Sequence, residues 1–74
     1  MNERVMSIWV IFRNPASGGY IANRCEIREG KPVPTADFLV ERKIETLRDH
    51  FRMHGLVMLA RSPEDEPNLV ESWL

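Results

Sequence analysis

Apolar side chains recur along this chain with two different periods. Between Arg42 and His54 the spacing is helical: Ile44, Leu47 and Phe51 stand at i, i+3 and i+7, with Val40 one turn earlier. Glu45, Arg48, Asp49 and Arg52 fall on the other sides. This is the one segment that reads as a full helix. Elsewhere the period is two. Ser7–Arg13 is almost wholly β-branched or aromatic, with Ile8, Val10 and Phe12 on one face and Trp9 and Ile11 on the other. Tyr20–Arg28 alternates, with Ile21, Asn23, Cys25 and Ile27 pointing one way and Tyr20, Ala22, Arg24, Glu26 and Arg28 the other. Leu56–Ala60 is a further strand, apolar on both faces. Asn68–Leu74 is the last, with Leu69, Glu71 and Trp73 sharing a face.

Breakers divide these segments. Asn14–Gly19 is a turn cluster that returns the second strand beside the first as a hairpin. Gly30, Pro32 and Pro34 argue against regular structure over 29–34. A helix begun at Ala36 would turn Phe38 away from the Leu47 stripe, so 36–40 is expected as a short strand or extended lead-in to a helix starting near Arg42. No good N-cap residue stands at Glu41 or Arg42. The helix end is better marked: Arg48, His50, Arg52 and His54 suit the negative end of its dipole, and Gly55 can close it. Ser62–Pro67 reads as an acidic turn. The expected fold is α+β: a mostly antiparallel sheet of about four strands with one helix packed on one face. Residues 1–74 make a single domain, frayed over 1–5.

Composition adds limits. With 74 residues, buried surface and stability margin are small. Ten basic and eleven acidic residues nearly cancel, which argues against nucleic acid as a partner. Cys25 is the one cysteine, so no intrachain disulfide forms, and a reducing, cytoplasmic setting is expected. Val5–Phe12 is too short for a signal peptide's apolar core and stops at Arg13, and no stretch has the length to span a bilayer, so no membrane partner is expected.

Candidate chemistry is sparse. His50 and His54 at i, i+4 have the spacing of two metal ligands on one helix, but no third ligand is marked, so no metal site and no cofactor are expected. Cys25 lacks a base, and Arg24 and Arg28 point to the opposite face of its strand; an inert thiol on the inner face of the sheet is expected. Glu64, Asp65 and Glu66 lack the spacing of a calcium loop. The surplus is apolar. Trp9 and Ile11, and the two-faced Leu56–Ala60 strand, exceed what one short helix covers, which marks an interface for a protein partner or for self-association, with Trp9, Ile11 and Trp73 as its expected residues. The expected function is a cytoplasmic, non-catalytic interaction module, with a small metal-dependent or thiol enzyme using His50, His54 and Cys25 as the alternative.

Met6-Ser7-Ile8-Trp9-Val10-Ile11, Gly55-Leu56, Arg61-Ser62-Pro63-Glu64-Asp65 and Val70-Glu71-Ser72-Trp73-Leu74 together resemble short bacterial proteins that carry no known activity. A strand, then a Gly18-Gly19-Tyr20 turn into a second strand, then Ile44-Glu45-Thr46-Leu47-Arg48 opening a helix is also similar to HicB-type antitoxins. That resemblance implies a small ββαβ module that binds and masks a toxin. The Asp-Leu-Pro-Gly-like segment of that family after the second strand is absent here, and no DNA contact is implied.

Overall fold

A computed structural model describes residues 6–61 and 67–74; the expected frayed start and most of the expected acidic turn, with Glu64, Asp65 and Glu66, lie outside them. The chain forms strands β1 (Met6–Asn14), β2 (Gly19–Arg28) and β3 (Lys31–Glu41), helix α1 (Ile44–Met53), then strands β4 (Met58–Leu59) and β5 (Leu69–Trp73). All five strands join one antiparallel sheet in the order β3-β2-β1-β5-β4. The α+β class and the single helix match the expectation; the sheet has five strands where about four were expected.

The additional pairing comes from β3. Lys31–Glu41 is continuous strand, although it contains Pro32 and Pro34. Proline is tolerated on an edge strand whose missing N–H would face outward, and β3 pairs only with β2. Glu29 (φ 51°) and Gly30 (φ 77°) both take positive φ, the signature of a two-residue hairpin turn whose twist suits the strands it joins. Arg28 and Lys31 are therefore paired directly, and no loop fills 29–34. Further along, β3 bulges: the register shifts between Asn23 and Cys25 of β2. The Asn23 amide holds the bulge by donating to the Thr35 carbonyl at 3.0 Å and the Asp37 carbonyl at 3.1 Å. At the other side of the sheet, β4 is only two residues long.

Helix α1 starts at Ile44 after an extended Lys43 that makes no side-chain cap bond, as the lack of a capping residue foretells. Its end is closed in the way glycine allows: Gly55 has φ 77°, its N–H donates to the Arg52 carbonyl at 3.0 Å, and the Leu56 N–H donates to the Phe51 carbonyl at 3.0 Å. Leu47 and Phe51, from the predicted stripe, are the buried residues of the helix. They pack with Ile11, Ala22 and Trp73, and Trp9, Tyr20, Leu39, Leu56 and Val70 close round them. Ala22 is small enough to let the helix approach the sheet, while the rings of Trp9 and Trp73 lie 5.4 and 5.6 Å from that of Phe51.

This arrangement corrects the choice of face. Trp9, Ile11 and Trp73 were expected as an exposed interface; Ile11 is 0% and Trp73 2% exposed, and Trp9 packs against the core. The physical reason is size and fit. A ten-residue helix spans about 15 Å, which is enough for a compact nest of two indoles, Ile11 and Ala22. Beyond that nest the same face carries charged residues such as Arg24, Glu26 and Arg28 at its rim, together with the exposed apolar Val33 and Met58.

Candidate interaction surface

Strand alternation fixes what the opposite face displays. The cross-strand pairs put Ile8, Val10 and Phe12 of β1 beside Cys25, Asn23 and Ile21 of β2, with Ile27 beside Met6. Phe38 and Val40 of β3 extend these rows on one side, and Leu69, Ser72 and Leu59 extend them on the other. No charged residue occurs in this set. Among the described residues nothing forms a second layer over it: Phe38 is 56%, Val40 65% and Leu59 38% exposed. A contiguous apolar surface of this kind ordinarily marks a binding site.

The charged strand residues are on the other face, around the helix. Arg24 Nε donates to Asp37 Oδ2 at 2.7 Å, and its Nη1 reaches Ser7 Oγ at 3.2 Å. Arg28 reaches Glu26 at 3.2 Å. Beneath the helix, Arg48 donates through Nε and Nη2 to the two oxygens of Glu71, each at 3.0 Å, and the Trp73 indole N–H donates to the same carboxylate at 3.1 Å. Burial works to raise the Glu71 carboxyl. The bonds from Arg48 and Trp73 and the charges of Arg48 and Arg52 outweigh it and hold the group below the usual carboxylate range. Arg48 is pushed further up by the same hydrogen bond. This network ties the helix to β5 and is structural.

The polar groups on the open face are already satisfied from within. Asn23 is 7% exposed, and both its N–H bonds go to β3 carbonyls. Its Oδ1 accepts from the Cys25 thiol at 3.6 Å. Cys25 is 4% exposed, and burial pushes its thiol up, with the nearby Arg24 charge pulling the other way. A thiol so placed is protonated at neutral pH, as an inert cysteine should be. It does not lie beneath the helix, however: β2 turns it toward the open face, between the bulkier side chains of its neighbours.

The two histidines are elsewhere. His50 and His54 stack at 4.5 Å between ring centroids on the helix and line a shallow cleft of about 300 Å³ with Trp9, Phe51 and Leu56. Cys25 faces the other side of the sheet, so the structure does not bring together the three residues of the enzyme alternative. No group of three or more potential metal ligands occurs among the described residues. A second cleft, of about 280 Å³, lies between the helix and the end of β3 and is lined by Leu39, Val40, Glu41, Thr46, Leu47 and His50. One Glu41 oxygen is buried there without a hydrogen-bond partner. No helix among the described residues is long and apolar enough to cross a membrane. No protein-family model matches the chain, and no curated protein or solved structure does either.

The sequence carried a signal for the open face. Odd positions of 21–27 and even positions of 8–12 hold no charge, whereas Arg24, Glu26 and Arg28 occupy the other side of β2. Phe38 and Val40 extend that face only because β3 pairs alongside β2 over its whole length, which the prolines concealed.

Proposed function

We propose that this protein is a small, non-catalytic interaction module of the cytoplasm whose binding surface is the helix-free face of its sheet. The observation that carries this reading is the composition of that face: Ile8, Val10, Phe12, Ile21, Ile27, Phe38 and Val40, uncharged throughout, with its central amide and thiol bonded to the protein itself. Such a face offers apolar burial and shape, and it provides neither a nucleophile nor a base for chemistry. The lone cysteine, protonated and hydrogen-bonded, accords with a reducing compartment. In the antitoxin-like form of this proposal, the partner is a toxin masked by the sheet.

The test is affinity capture from the source cells with tagged wild-type protein and Phe38→Glu in parallel. A chain retained by the wild type and released by the variant supports the reading. Identical retention by both overturns it, because an unpaired charge buried within an apolar interface should weaken whatever binds there.

A further inference from the structure

We infer that the occupant of the open face is a second copy of this chain, packed sheet on sheet about a two-fold axis. This rests on the reading of that face as a binding surface and names what binds it. The first argument is area. Strands spaced about 4.8 Å apart and rising about 3.3 Å per residue make a face five strands wide and about seven residues long cover roughly 550 Å² in projection. Two copies together then bury about 1,100 Å² before corrugation is added, which clears the roughly 1,000 Å² that a specific interface needs.

The second argument is chemistry. A heterologous partner is ordinarily selected by complementary charge, and the described strand residues of this face carry none. It complements an identical uncharged face, and a two-fold pairing buries both at once. Asn23 and Cys25 need nothing from the partner, since each is hydrogen-bonded within its own chain.

The third argument is relief and access. Along one cross-strand row, Phe38, Asn23, Val10, Ser72 and Leu59 succeed one another. The row carries large side chains at its two ends and smaller ones between. Stacked sheets interdigitate across about 10 Å, and a face with such a hollow accepts the bulky rows of a second copy. The edges offer no competing route. β3 carries two prolines and a bulge, and β4 is only two residues long, devices that block edge-to-edge pairing.

Sedimentation velocity over a wide concentration range, on wild type, Phe38→Glu and Val40→Lys, tests this. Both positions are more than half exposed in the single chain, so a charge there leaves the fold intact. Trp9 and Trp73 lie on the helix side, so their emission reports folding independently of pairing. Wild type should sediment at twice the 8.6 kDa chain mass and the variants at the chain mass, with unchanged tryptophan emission. Should Phe38→Glu lose the folded emission, Val40→Lys, on the same edge strand and more exposed, carries the same comparison. Variants that remain dimeric overturn the inference by placing the contact elsewhere. A wild type that stays monomeric throughout also overturns it. In that case, binding of an apolar dye by the wild type and its loss in Phe38→Glu keep the face as a docking surface for a different chain, whereas equal dye binding removes the face itself.

Discussion

Replacing Arg48 with methionine isolates the buried carboxylate that joins helix to sheet. Methionine keeps an apolar stem of similar reach and removes both donors to Glu71, a residue only 5% exposed. Hydrogen bonds to a charged group are worth about 1.5–3 kcal/mol each, and stripping one partner from a fully buried pair costs about 3–5 kcal/mol. The Arg48 side chain is 34% exposed, so water replaces part of what is lost. The expected loss at pH 7 is about 2–3 kcal/mol after that discount, out of the roughly 4–11 kcal/mol a chain this long commands. The dependence on pH has a definite sign. In the wild type the folded Glu71 carboxyl is depressed, so its contribution is complete above the unfolded carboxylate value of about 4.3 and fades as pH falls through the folded one. Without Arg48, burial is opposed only by Trp73 and the more distant Arg52, and the carboxyl moves up relative to wild type. Protonation then relieves the unpaired charge, and the gap between variant and wild type narrows on going from pH 7 to pH 4. Adding Glu71→Gln to the variant should return about 1 kcal/mol at pH 7, since a neutral amide still accepts from Trp73 and leaves no buried charge. Urea denaturation followed by tryptophan emission measures all of these. A loss below about 0.5 kcal/mol at pH 7, the scale of an ordinary surface change, or a gap of equal size at both pH values, refutes the reasoning.

Leu47→Ala should cost about 2–5 kcal/mol, because Leu47 is 1% exposed at the centre of the helix-side core and leaves a cavity there; denaturant titration checks it. Gly19→Ala should destabilise by about 1–3 kcal/mol, since its Cβ would stand 2.8 Å from the Glu41 carbonyl oxygen, where backbone rather than a flexible side chain must give way. Its thermal midpoint should fall, and amide exchange should quicken first where β2 and β3 meet. Cys25 should resist a thiol-directed reagent in native protein and react promptly in urea, because the thiol is buried, protonated and bonded to Asn23; fast native labelling would contradict its placement.

Residue periods made most of the fold legible. The Ser7–Arg13 and Tyr20–Arg28 patterns fall within β1 and β2, and the Ile44, Leu47, Phe51 stripe lies on the helix that forms. Gly55 closes that helix as expected. Two features were hidden. Pro32 and Pro34 read as breakers, because a proline forbids a central strand while an edge strand tolerates it, and edge position depends on the whole topology. Leu56–Ala60 read as a full strand, yet the strand that forms is Met58–Leu59, continued only by Val57, which exchanges two N–H···O bonds of 2.9 Å with Leu74. The candidate surface was half visible: alternation separated two faces correctly, but their assignment to helix and exterior was reversed. Reading Trp9 and Ile11 as the interface left the Ile8, Val10, Phe12 face to the helix. Fit decided otherwise, through the small Ala22 that admits Leu47 and Phe51.

That reversal bears on what the sheet is built for. An antiparallel sheet covered on one side normally turns its charged residues to water on the other. This chain does the opposite. Arg24, Glu26, Arg28, Asp37 and Glu71 share the face that the helix occupies, where they pair with one another and with Arg48 around a compact core. The helix side thus has an apolar centre with ion pairs around it, although one Glu41 oxygen stays unpartnered and Val33 and Met58 are exposed at its margin. The other side has the centre without the rim: the same strands carry isoleucine, valine and phenylalanine outward where a solvated sheet would carry lysine, threonine and glutamate. Since side-chain direction alternates with a period of two, moving charge to the open face would have required only ordinary substitutions at positions such as Val10, Ile21 and Phe38. On the function proposed above, an uncharged face next to a well-charged one on the same strands is a surface completed by another molecule.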